Sequence, residues 1–264
     1  MAATTTRTPR WTTSSFGARL AKSGTEALKS YQQSYVQINE FLGFVLQMAA
    51  QIERTEETFR KVSADVADIL PDLARRNEVE WKGPFQELKR HRQFLLEVLL
   101  VRHVENYLNY LSSLLRTILI ARPETLRSSE KIDLEVVFRH STIEDLVKTV
   151  AERKVDSLSY ASFGDLATYF KDKFGITLVS DHAMKVLVEA IECRNISVHN
   201  RCIVNQRYQS RVSEAKYTVG QLRSLGVDHL EEVALVLITS AIAVDRSAKK
   251  RLGIKGVKFG SAAP

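Results

Sequence analysis

From Glu26 onward the apolar residues of this chain recur at helical rather than strand spacing. Ile38, Val45, Ile52, Phe59, Val66 and Leu73 return every seven residues. Leu42, Ala49 and Leu70 fill the companion position, and Glu56 and Ser63 interrupt it. The pattern predicts a long helix with a narrow buried seam, either a coiled-coil arm or a helix packed on its own domain. Pro71 is expected to end or kink it, because proline lacks the amide hydrogen that the helix needs.

Gly83-Pro84 opens the next element, with proline suited to a first helical turn. Between Phe85 and Ile120 there is no proline or glycine, and Leu88, Leu95, Leu99, Leu108, Leu115 and Leu119 are among the apolar residues at helical spacing. A second long helix is expected there, stopped at Arg122-Pro123. Shorter helices follow. Ser141 with Glu144, and Ser162 with Asp165, have the spacing of capping boxes, and Gly175 is placed to end the second of these helices. Ser180 is suited to cap a helix that delivers the chain to Arg194. Asp228 with Glu231 is suited to cap a last one, apolar on nearly all sides from Val233 to Val244. Such a helix belongs in a bundle core or at an oligomer interface. With only 11 Gly and 5 Pro in 264 residues, an all-β fold would lack its turn formers. The expected fold is all-α. The chain divides into a disordered basic leader (1–24), an N-terminal helical extension (25–82), a helical bundle (83–252) and a flexible basic tail (253–264).

Charge refines this picture. The net +7 comes from the ends: residues 1–24 hold four Lys or Arg and no acid, and 246–264 hold six and no acid. The stretch 25–245 is left at −3. Loose basic ends can hold polyanions weakly. The two cysteines, Cys193 and Cys202, fit a reducing cytoplasm, and no second Cys/His pair has zinc-ligand spacing, so neither a metal nor a cofactor is expected. The most apolar stretch, Phe41 to Ala50, is too short for a membrane span.

Against the acidic body, the segment from Cys193 to Val212 stands out: Arg194, Arg201, Arg207 and Arg211, with no acid. Arg201, Arg207 and Arg211 are expected to hold RNA phosphates, with Tyr208 stacking a base. Within this segment Arg194, Asn195 and, after four intervening residues, His199 resemble the signature of the HEPN family. These are small helical domains of prokaryotic toxins and defence ribonucleases. The apolar helix before the motif, the Val198-His199-Asn200 that completes it, and Ile203, Val204 and Tyr208 beyond it carry the same resemblance, which extends over roughly residues 85–250 toward the RiboL-PSP-HEPN subgroup. The bare pattern has little value by itself, because the chain holds a second match, Arg223 with His229. That second pair spans a loop-to-helix junction and has no polar neighbour beside the arginine, so Arg194 and His199 are the preferred pair.

The chemistry fits these residue types. The ribose 2′-OH of RNA serves as nucleophile, histidine titrates near neutrality and moves protons, and arginine presents a fork matched to phosphate oxygens. One histidine cannot be acid and base at once, and residues five apart on a helix diverge by about 140°. Both points favour a homodimer with two motifs at one cleft, as the resemblance also implies. The expected function is a metal-independent endoribonuclease in a toxin or anti-phage setting, with RNA and an antitoxin or defence protein as partners. The alternative is a catalytically silent helical scaffold that binds RNA or dimerises.

Overall fold

The structure, a computed structural model, describes residues 19–66, 68–69, 72, 82–127, 131–213 and 216–260. Among these the fold is all-α: nine helices and a two-stranded sheet. The expected leader before residue 19, the turn at Pro71, and Leu70 and Leu73 lie outside the described residues.

The first helix, α1, runs Glu26–Asp65, with Thr25 accepting the Leu28 amide as its cap. It docks along the central helix through the seven-residue pattern, with the companion position of Leu42 and Ala49 the more deeply buried and Ile38 and Val45 partly buried beside it. Leu28, Tyr31, Tyr35, Leu42 and Ala49 are buried, while Ile52 is exposed. Leu28, Tyr35, Leu42 and Ala49 lie seven residues apart, so the stripe keeps the heptad register, and buried Ser63 resumes it past the interruption at Glu56. Beyond Ala49 the helix buries almost nothing, and Phe41, Phe44 and Met48 are exposed.

The second predicted helix is two. Helix α2 (Pro84–Arg90) begins at Pro84 as expected, and α3 (Arg92–Ala121) follows after a break at His91. Helix α3 is the core of the molecule, with Val104, Tyr107, Leu111, Leu114, Ile118 and Leu119 wholly buried. After a 3-10 turn at Pro123–Leu126 come α4 (Leu134–Phe138), α5 (Ile143–Tyr160) and α6 (Phe163–Phe174). The α6 capping box of Ser162 and Asp165 forms, and Gly175 ends the helix at φ 62°. Helix α5 is capped one residue later than the sequence suggested, by Thr142 accepting the Asp145 amide. Helix α7 (Asp181–Asn200) has its Ser180 cap, and α8 (Gln206–Arg211) is one short segment. Helix α9 (Val227–Leu252) starts at Gly226 with no side-chain cap, so Asp228 is a first-turn residue rather than the cap. Its apolar middle is spent inside the chain: Val233, Ala234, Leu237, Ile238, Ala241 and Val244 pack against α3, α7 and α1. The choice between bundle core and interface falls to the core, and this helix gives no argument for a partner.

The ends are less loose than their charge implied. Ser23–Gly24 (β1) pairs antiparallel with Val257–Lys258 (β2), and Thr25 hands both its amide and its hydroxyl to buried Asp245 on α9. Gly24 fits because nothing larger would: a Cβ there would lie 2.6 Å from Leu28 Cδ2. Residues 25–66 therefore share one core with the bundle. No helix among the described residues is long and apolar enough to cross a membrane.

His103 on α3 lies in this core, 1 % exposed, with its ring 5.4 Å from that of Tyr35. Burial pushes its pKa down from 6.5 to about 4. A histidine depressed on folding stabilises fully above its unfolded value and loses that contribution as pH falls toward the folded one. The loss amounts to about 3 kcal/mol between these limits. The pH dependence of stability, from urea unfolding between pH 6.5 and 4, should therefore flatten by about that amount in His103→Phe. An unchanged slope would contradict the buried neutral imidazole.

Candidate functional site

The motif helix α7 runs without a break from Asp181 to Asn200. Arg194 and His199 both lie on it, five residues apart, so their side chains leave the helix about 140° from one another. Within one chain the helix neither bends nor ends between them. His199, in the last turn, is exposed.

Arg194 is partly buried and held on two sides. One Nη donates to Asn195 Oδ1 at 2.8 Å, and the other meets the Glu105 carboxylate of α3. Its buried Nε has no partner among the described residues. Burial lowers its pKa, though an arginine retains its charge at any neutral pH. Glu105 is a site residue that sequence reading missed. It is 89 residues upstream, as the two residue numbers give, and no spacing rule connects it to the motif. The only available signal was that it is one of two carboxylates, with Glu97, on the largely apolar α3. Since Cys202 interacts with Glu97 as Arg194 does with Glu105, α3 and α7 run in opposite directions. Val98 and Val198, one on each helix, are 43 % and 54 % exposed.

The arginines expected to hold RNA are only partly free. Buried Glu192, one residue before the acid-free run, takes Arg211 Nη1 at 3.0 Å and Arg207 Nε at 3.4 Å. Both guanidinium groups still reach solvent, with side chains 59 % (Arg207) and 40 % (Arg211) exposed. Arg201 is exposed and closes α7 in the left-handed conformation, φ 49°. Tyr208 corrects the expectation of base stacking: it is wholly buried, and its hydroxyl donates to Glu189 Oε1 at 3.1 Å. An aromatic residue on a short helix facing the core is a packing residue first, and the sequence around it did not reveal which way it faced.

The disfavoured pair behaves differently. Arg223, 7 % exposed, donates through Nε and Nη2 to Glu189 Oε1 at 3.2 and 2.9 Å, and its guanidinium lies 4.8 Å from the centre of the Tyr217 ring. His229 lines the same cavity; burial first, then the charge of Arg223, lowers its pKa. So the fold gathers Arg223 and His229 around Glu189, whereas it turns Arg194 and His199 apart. Ligand atoms of Glu189, Cys193 and His229 lie within 4.8 Å of one another, a cluster that the sequence did not show. It is a poor cation site. The Arg223 guanidinium already occupies the Glu189 carboxylate, and burial pushes the Cys193 thiol up to about 12, so the thiolate that a metal needs is costly. Comparison with protein-family models, with curated proteins and with solved structures returned no match.

Proposed function

We propose that the protein is a metal-independent endoribonuclease of the HEPN type whose active site is made by two copies of the chain. The observation that carries this reading is the placement of Arg194 and His199. Both are on one rigid helix, both are within reach of solvent, and they are too divergent to meet on one phosphate from a single chain. A two-fold axis beside α7 would put Arg194 of one protomer across from His199 of its partner. Val198, half exposed on α7 one residue before His199, would be covered in that contact.

In such a cleft one His199 removes the proton from the ribose 2′-OH. The 2′-oxygen then bonds to phosphorus, and the bond from phosphorus to the 5′-oxygen breaks. The second His199 returns a proton to the leaving oxygen. Arg194 carries the charge that gathers on the phosphate, and Glu105 and Asn195 hold its fork in place. Arg201, Arg207 and Arg211, which follow the motif in the chain and reach solvent, hold neighbouring phosphates in this reading. The cytoplasm is the compartment in which two free, buried thiols persist, and a toxin or defence role suits an activity that must be held in check.

The test is incubation of the purified chain with single-stranded RNA in EDTA. Cleavage should proceed and leave 2′,3′-cyclic phosphate ends. Loss of cleavage on chelation, restored by a divalent ion, would reject this chemistry.

A further inference from the structure

A second site, separate from Arg194 and His199, lies on another face of α7. The break at His91 brings the end of α2 and the start of α3 to one rim of a cavity of about 800 Å³, with Lys89, Arg90 and Arg92 upon it. Lys216 and Arg223 line it from the segment that precedes α9. Against these five cations stand Glu189, Asp228 and Glu232. Glu189 is already taken by Arg223. Lys89, Arg92 and Lys216 have no carboxylate partner within 4 Å among the described residues. A local excess of positive charge in a body that carries −3 over residues 25–245 marks a place for an anion.

Backbone adds to the side chains. Helix α9 begins at this cavity with no side-chain cap, so its first amides point their hydrogens toward it and its dipole favours negative charge. The walls are fixed before any ligand arrives. Gln93 Oε1 accepts the Leu225 amide at 3.0 Å, the Arg223 amide donates to the Cys202 carbonyl at 2.8 Å, and Ile203 bridges Leu222. Tyr217, partly exposed in the wall with Arg223 against its ring, offers an aromatic surface beside the cations.

We propose that this cavity binds a free nucleotide. Its phosphates lie between Lys89, Arg92, Lys216 and the start of α9, and its base lies against Tyr217. The volume lies within the range of small-ligand pockets. Cationic side chains on two walls, from the α2–α3 rim and from the segment before α9, suit a polyphosphate better than a single phosphodiester. This inference does not rest on the ribonuclease reading.

Isothermal titration of the full chain with ATP and GTP, with pyrophosphate, with adenosine, and with single-stranded RNA tests it. The nucleoside triphosphates should bind, pyrophosphate more weakly, and adenosine not measurably. The double variant Lys89→Glu/Arg92→Glu changes two exposed residues, so it should fold normally. It should bind nucleotide at least about tenfold more weakly, since removing even one charge-assisted hydrogen bond to phosphate costs about that factor. Lys148→Glu, an exposed control elsewhere on the surface, should bind as wild type does. No binding of triphosphates at millimolar concentration would overturn the proposal. So would binding that the double variant leaves unchanged, binding of RNA alone, or zinc in the purified chain that His229→Ala removes.

Discussion

Replacing His199 by Ala should lower RNA cleavage by roughly a thousandfold while the chain unfolds at the wild-type temperature. The side chain is exposed in the last turn of α7, so its removal leaves the packing of the bundle as it was. What disappears is proton transfer alone. Arg194→Ala should cost a similar factor in rate, about 3 kcal/mol of transition-state stabilisation, but with a second signature. It leaves the Glu105 carboxylate without its guanidinium, so a modest fall in stability, about 1 kcal/mol, should accompany it. Arg194→Lys keeps the charge without the fork, and should rescue stability better than rate. Single-turnover cleavage and urea unfolding on the same samples separate the two effects. A His199→Ala chain that cleaves like wild type would remove the imidazole from the chemistry.

The largest effect on stability belongs to a residue outside the motif. Glu189→Ala should destabilise the chain by about 3 kcal/mol. Glu189 Oε1 accepts two bonds from Arg223 and one from Tyr208, both of which are nearly or wholly out of solvent. Burial by itself would raise the Glu189 pKa; the adjoining Arg223 holds it below the usual carboxylate value. Without the carboxylate, a guanidinium 8 % exposed is left uncompensated, and a buried charge without a partner costs more than the pair itself contributes. Glu189→Gln, which keeps an acceptor, should be less destabilised. Glu189→Leu combined with Arg223→Met should also be less destabilised than Glu189→Ala, although it removes more polar groups. Equilibrium unfolding in urea measures all three, and a Glu189→Ala chain within about 1 kcal/mol of wild type would show that the ion pair carries little.

The ranking of the two Arg/His pairs shows what the sequence conveyed and where it stopped. Helical spacing alone was enough for the fold class, for the start of α2 at Pro84, for the stop before Pro123 and for the α6 capping box with its terminating Gly175, because each depends on residues within one or two turns of one another. The exposure of α1 at Ile52 and the burial of Tyr208 depend on what lies opposite, and local pattern is silent on that. Glu105 was illegible for the same reason: it meets Arg194 only after α3 and α7 pack antiparallel. Arg223 and His229 rank second in the sequence because they straddle a loop and a helix start. A loop pinned by Gln93 and the Cys202 carbonyl can place residues as firmly as a helix does. The basic run Lys89-Arg90-His91-Arg92 reads as a solvated helix face; it is a cavity rim because the helix breaks at His91, with no glycine or proline to announce it.

The composite site requires that Arg194 of one chain work with His199 of the other. Arg194→Ala and His199→Ala proteins, each inactive alone, should be mixed, allowed to exchange subunits, and assayed on single-stranded RNA in EDTA, with native mass spectrometry to count heterodimers. Each heterodimer keeps one intact pair across the two-fold, so the mixture should regain cleavage in proportion to the heterodimer present, below the wild-type rate because only one histidine remains. A mixture rich in heterodimers that stays inactive, or wild-type chain that cleaves fully as a monomer at nanomolar concentration, would contradict the composite site.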